Sequence, residues 1–304
     1  MNATRPPNPP PSPLEGEGRG EGFVPKRLII TADDFGLSYS VNEAIERAHR
    51  DGILTSASLM VAAPAAADAV RRAKSLPTLS VGLHLVAIEG QAASPPDEIP
   101  DLVDLFGKIP SEQFRLGLNY AFRPAVRRQL AAEIRAQFSA YAATGLPLDH
   151  ADAHKHMLLH PTVGSLLLNI GREFGLRAVR VPAEPSAVIA RCGTPATAAA
   201  HAMHAWTRLF RHQARHAGMA IADAVFGLAW SGHLTADRLL RLIPQLPAGV
   251  SELYCHPAAR RDPTLDALMP DYEHEAEFSA LVDPRVRAIL CQHAIVPTRY
   301  GDLS

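Results

Sequence analysis

Four groups of acidic and imidazole side chains recur along this sequence, each at the end of a short apolar run. They are Thr31-Ala-Asp-Asp-Phe-Gly36, Val81-Gly-Leu-His-Leu85, Leu148-Asp-His-Ala-Asp-Ala-His-Lys-His156 and Glu252-Leu-Tyr-Cys-His-Pro257. Mixed carboxylate and imidazole donors suit a borderline divalent cation, and a catalytic ion must keep one position open for water. Asp33 and Asp34 are adjacent, so on a regular strand they would point to opposite faces. Both serve one site only if the backbone turns there; one can then ligate while its neighbour takes a proton. Taken alone, Asp-Asp-Phe-Gly reads as a turn or a helix N-cap, and His84 as a core histidine. Asp152, His154 and His156 shift the balance. They alternate, so a strand would put them on one face together with His150. Burying such a row unpaired is costly, and a metal or a wet mouth relieves the cost. His256 ends the fourth run. Facing the same mouth without ligating, it would suit a general acid that protonates a leaving amine.

Strand ends are where parallel α/β folds gather chemistry, because side chains there share one mouth. Arg27–Thr31, Ser56–Val61 and Leu79–Leu85 read as strands, separated by helices over Ser40–Arg50 and Pro64–Lys74. That βαβαβ alternation predicts a parallel sheet with outer helices. Residues 87–118 read as a long irregular loop over the carboxyl end of the sheet. Further on, helices are expected over Val126–Ala143, Pro161–Phe174, 194–222 and Thr235–Ile243. Strands are expected over Leu148–Ala153, Ala178–Pro182, Val225–Ser231, Glu252–Cys255 and Arg287–Leu290. The fold class expected is α/β, a distorted (β/α) barrel of about seven parallel strands with outer helices.

The 304 residues are 47% apolar and 20% charged with a formal net charge of −1, which excludes the basic stripe of a nucleic-acid binder. Cys192, Cys255 and Cys291 are odd in number and widely spaced, which favours a reducing, cytoplasmic setting over a disulfide framework. No apolar run reaches the roughly 18 to 20 residues that span a bilayer. Residues 1–25 are rich in Pro, Gly and Glu and cannot bury a core, so a disordered tail is expected before a single domain over 26–304. Of the 14 histidines, His201, His204, His212 and His216 fall on a helical stretch where exposed polar positions are expected.

Leu28-Ile-Ile-Thr-Ala-Asp-Asp-Phe-Gly-Leu-Ser38, Val81-Gly-Leu-His-Leu85, Asp152-Ala-His-Lys-His156 and Glu252-Leu-Tyr-Cys-His-Pro257 resemble, in order and spacing, the motifs of the YdjC-like carbohydrate deacetylases. The resemblance covers roughly residues 27–295. Val41–Met60 and Gly227-Leu-Ala-Trp-Ser-Gly232 are similar to the hopanoid biosynthesis-associated branch. The family implies a TIM-barrel-like fold and metal-dependent removal of an N-acetyl group from an amino sugar. The branch implies an N-acetylglucosamine-type head group on a hopanoid. Carried over by position, Asp33 corresponds to a catalytic base and His256 to a catalytic acid. Asp34, His84 and His154 correspond to metal ligands, and His156 to a site histidine of unassigned role. Asp152, Arg180 and Glu184 stand as outer or substrate-binding candidates, with a structural Arg180–Glu184 ion pair as the alternative.

The expected cofactor is one divalent metal, zinc first, with Mg2+ or Co2+ as alternatives. The rival readings are a chitooligosaccharide deacetylase, a metal-dependent phosphoesterase with a second ion, and a non-catalytic sugar- or lipid-binding protein with a closed structural metal. A lipid-linked substrate would bring peripheral contact with the inner membrane surface, through residues 87–118 or 194–222. The spacing of Met203, Trp206, Leu209 and Phe210 fits core or a homodimer contact equally well.

Overall fold

The computed structural model describes residues 25–195 and 198–303, and the side chains of residues 198–205 are outside that description. The expected tail over 1–25 lies outside the described residues apart from Pro25, as do the side chains of His201, Met203 and His204.

Among the described residues nine strands are present: β1 (Lys26–Phe35), β2 (Ser56–Leu59), β3 (Ser80–Leu85), β4 (Gly90–Gln91), β5 (Lys108–Ile109), β6 (Ala151–Ala153), β7 (Ala224–Phe226), β8 (Gly249–Cys255) and β9 (Val296–Thr298). Seven of them form one sheet in the order β6-β3-β2-β1-β8-β7, with β9 also on β1. Every pairing in it is parallel. β1 is long enough to serve three partners. β8 runs along Lys26–Ala32, while β9 pairs with Arg27–Ile29 and β2 with Thr31–Phe35. Its Leu28, Ile29 and Ile30 are at most 1% exposed, as expected for a strand covered on both faces.

Helices cover the outside of the sheet. The helix Tyr39–Asp51 begins where Ser38 accepts from Val41 N, and it buries Val41, Ala44, Ile45 and Ala48 at helical spacing. The helices Pro124–Ala143 and Pro161–Glu173 both begin with a proline, the first of them two residues before the expected start at Val126.

The sheet curls into a distorted barrel that closes without a regular ladder. Between β6 and β7 the described residues form only single bridges, Ala151 with Val179 and Ala178 with Ala220. The strand expected over Ala178–Pro182 is therefore an irregular stave. Arg180 N donates to Ala151 O on one side and Val225 N to Ala183 O on the other. The strand expected over Arg287–Leu290 is instead the helix Pro284–Gln292, N-capped by Asp283, and the last strand is β9. The loop expected over 87–118 contains the antiparallel β4–β5 ladder and the start of a helix, Gln113–Phe122.

The interior is tight below the mouth. A Cβ on Gly82 of β3 would stand 2.5 Å from the His150 ring. Gly82→Ala is expected to lower stability by about 1–3 kcal/mol through overpacking, read as a lower urea midpoint with an unchanged slope.

Candidate metal centre

The two β1 carboxylates separate as the sequence required. Register between β1 and β2 shifts between Ala32 and Phe35, and Asp34 takes φ 60°. That left-handed turn, which aspartate tolerates better than most residues, sends Asp33 toward Arg180 and Asp34 toward His84 and His154. Asp34 Oδ1 lies 3.3 Å from His84 Nε2 and 3.2 Å from His154 Nδ1, and those two nitrogens are 3.4 Å apart. All three residues are buried. Donors placed tetrahedrally about 2.0–2.2 Å from a shared ion would be spaced about 3.3–3.6 Å apart, so the triangle fits a cation.

Two further observations favour an ion. Both Asp34 oxygens are buried and lack a hydrogen-bond partner. His84 Nδ1 lies 2.7 Å from Asp152 Oδ1, which turns the Nε2 lone pair toward Asp34 and fixes the tautomer that a ligand needs. Burial works against the charged form of both residues, but neighbours outweigh it. The His154 and His84 imidazoles hold the Asp34 carboxyl well below its usual range, and the Asp152 and Asp34 carboxylates raise His84 well above its own.

Beneath the triangle, one fully buried guanidinium ties three strands together. Arg180 donates from Nη1 and Nη2 to Asp33 at 2.7 and 2.8 Å and from Nε to Glu252 at 2.9 Å, and its Nη1 lies 2.7 Å from Asp152 Oδ2. Its guanidinium carbon stands 4.8 Å from the Tyr254 ring centre. Glu252 also accepts from Thr31 Oγ1 at 2.8 Å and from Tyr300 Oη at 2.5 Å. Asp33, Asp34, Asp152 and Glu252 are all buried around this one arginine, which leaves a negative excess for a divalent cation to offset.

His154 joins the triangle by another route than strand alternation. β6 ends at Ala153, and Lys155 and His156 take φ 51° and 53°. The expected common face of His150, Asp152, His154 and His156 is thus replaced by three levels. His150 lies deeper, near Asp149 and Ser58 and stacked on Tyr300 at 4.8 Å. Asp152 backs His84. His156 turns away to Tyr254 Oη at 2.9 Å, and burial followed by the Arg180 charge pushes its pKa down to about 4.

His256 Nε2 is 4.0 Å from Asp33 Oδ2. Burial lowers its pKa, so the ring is neutral at rest. Its backbone is pinned from both sides: N donates to Glu277 Oε2 at 2.5 Å and O lies 2.7 Å from His274 Nδ1. Glu184 stands apart. Its carboxylate accepts the backbone N–H groups of Gly227, Leu228 and Ala229 at 2.9–3.1 Å, and the Arg180–Glu184 ion pair does not form.

Sequence reasoning missed Glu252, Ser58, Tyr254 and Glu277. Glu252 and Tyr254 alternate with His256 along β8, which was the available signal, whereas Ser58 on β2 had none. Glu277 lies on a helix remote in sequence and left none.

Burial raises the Glu277 pKa from its ordinary 4.5 to about 7. A raised acid binds its proton more tightly when folded, so its stabilising effect is full below pH 4.5 and is lost as pH rises through 7. Over that window wild-type stability is expected to fall by about 3 kcal/mol more than that of Glu277→Gln, read from urea midpoints across pH.

The family model for YdjC-like proteins matches residues 27–292. The chain belongs to the YdjC-like family. Relatives of this YdjC-like protein include a carbohydrate deacetylase of Geobacillus stearothermophilus, 29% identical over 280 residues, covering 92% of this chain and 98% of the relative. A Mus musculus carbohydrate deacetylase is 31% identical, with 92% and 96% covered. One from Brevibacillus brevis is 40% identical over 156 residues, 51% of this chain and 59% of the relative. In structure, the YdjC-like chain resembles an Enterococcus faecalis V583 protein described as a candidate for cellobiose-phosphate cleavage. The TM-score is 0.72 at 23% identity, covering 92% of this chain and 99% of the other, a likeness of fold alone.

Proposed function

We propose that this YdjC-like protein is a metal-dependent carbohydrate deacetylase that removes an N-acetyl group from an N-acetylglucosamine-type head group, hopanoid-linked in its natural substrate, and releases acetate. The observation that carries the reading is the Asp34–His84–His154 triangle with Asp33 and His256 beside it. The family and its carbohydrate deacetylase relatives support the reaction class. The hopanoid link rests on the resemblance of Val41–Met60 and Gly227–Gly232.

Asp34, His84 and His154 would hold the ion, zinc by the chemistry of two imidazoles and one carboxylate. When bound, the metal supplies Lewis acidity toward water and the acetamide oxygen. Asp33 accepts a proton from the attacking water. Each of its oxygens takes one Arg180 N–H and keeps a second lone pair free. Arg180 holds that carboxylate in place across the barrel. The proton then passes to His256 Nε2, 4.0 Å away, and on to the nitrogen as the C–N bond breaks. A ring that is neutral at rest suits this relay. Acetate and a free amine leave.

A two-ion phosphoesterase site is disfavoured by the same contacts. Asp33, His84 and Asp152 could form a second triad, but Arg180 already bonds both carboxylates where a second cation would stand.

The test is mass spectrometry of N-acetylglucosaminyl hopanoid and of chitobiose after incubation with zinc-loaded protein. Loss of an acetyl mass from the hopanoid alone is expected. Loss from chitobiose alone would overturn the lipid-linked substrate, and loss from neither would overturn deacetylation. His256→Gln is expected to lower kcat about 10²-fold while metal content stays unchanged.

A further inference from the structure

The loop and helix that follow β3 expose an unusual amount of apolar surface. Leu105 and Phe106 are 96% and 85% exposed, at the tip of a hairpin locked from within. Asp104 Oδ1 accepts from both Phe106 N and Lys108 N at 2.9 Å, and Gly107 N closes the turn on Asp104 O. Such tips are ordinarily polar, and this one holds two large apolar side chains in water at no further ordering cost. On the helix Gln113–Phe122, Phe114, Leu118 and Phe122 form an exposed stripe at i, i+4 and i+8. The helix Ala198–His216 adds Trp206 and Leu209, each about half exposed. Both helices are tied to one turn, since His160 Nε2 lies 3.0 Å from Gly117 O and Trp206 Nε1 donates to Leu159 O. Among the described residues, these segments hold seven of the nine exposed large apolar side chains.

Charge identifies the partner. Residues 101–128 carry Lys108, Arg115, Arg123, Arg127 and Arg128 against Asp101, Asp104 and Glu112, and residues 206–216 carry Arg208, Arg211 and Arg215 with no acid. That is eight cations and three carboxylates in a chain of net charge −1, with Glu112 and Asp101 paired to Arg115 and Arg123. A second copy meeting this surface about a two-fold axis would set like charges against each other. An anionic bilayer would receive the aromatic and leucine side chains at its interface and pair its head groups with the arginines. We infer that this surface, centred on Leu105, Phe106, Phe114, Phe122 and Trp206, docks the protein on an anionic lipid membrane. The turn that anchors both helices ends the 3-10 run that begins at His154. Docking is independent of the deacetylase reading, and its failure would leave deacetylation of detergent-solubilised glycolipid unaffected.

The experiment is co-sedimentation of the full chain with vesicles of phosphatidylglycerol and phosphatidylcholine, and with phosphatidylcholine alone. Wild type is expected to partition onto the mixed vesicles and to be released by high salt. Phe106→Asp combined with Phe122→Asp is expected to lower partitioning by more than about tenfold with an unchanged thermal midpoint. Arg127→Glu combined with Arg128→Glu, a second pair at exposed positions, should lower it by a similar factor on the anionic vesicles. Wild type that ignores anionic vesicles, or variants that bind as wild type does, would overturn the inference. So would a solution dimer that Phe122→Asp dissociates, since a second copy would then be what covers the surface.

Discussion

Asp34→Asn is expected to abolish retention of the ion and to lower deacetylation about 10⁴-fold or more. An amide keeps the shape of the side chain but loses its charge, and it can turn an N–H₂ group toward His84 and His154. The loss is large because water activation and stabilisation of the oxyanion disappear together. Elemental analysis of dialysed protein checks the first effect and single-turnover kinetics the second. A protein that keeps stoichiometric zinc after this change would show that the Asp34–His84–His154 triangle is not the binding site. Asp33→Asn is the natural companion, since it should spare metal content while slowing turnover.

Arg180→Met is expected to cost about 3–5 kcal/mol of stability, because three carboxylates lose the cation that holds them. Asp33, Asp152 and Glu252 all bond this guanidinium, and none is exposed beyond 2%. Urea unfolding with metal present and after chelation would measure the effect, which should be larger in the chelated protein. Arg180→Lys keeps one charge but cannot supply the fork that bonds Asp33 twice, so it should fall between the two. Stability equal to wild type in the methionine variant would mean that the carboxylates are protonated or hydrated in place, contrary to this account.

The parts of the barrel made from apolar runs were legible before any coordinates. Leu28–Ile30 and Val81–Leu85 have nowhere to go but a covered sheet, and the strand ends after them carry Asp33, Asp34 and His84 as anticipated. Alternation failed at His154 and His156, because two consecutive left-handed residues end the strand there. The Arg287–Leu290 segment misled for a different reason. Val286, Ile289 and Leu290 fit a short strand, yet Asp283 followed by Pro284 is a helix start, and Val286 and Leu290 are buried one turn apart. Arg180 and Glu184 invited pairing because they are neighbours in sequence. The carboxylates that Arg180 bonds lie 147 positions away in Asp33 and 72 in Glu252, and Glu184 spends its oxygens on backbone N–H groups that no sequence displays. Glu277 was silent for the same reason, since its partners are main-chain amides.

The chain from Tyr300 through Glu252 and Arg180 to Asp33 runs through the middle of the molecule, where most proteins keep only hydrocarbon. Robustness and turnover therefore draw on the same few atoms. Attempts to harden this enzyme by greasing its axis would dismantle the apparatus they meant to protect, and gains in heat tolerance should be sought in the outer ring of helices instead.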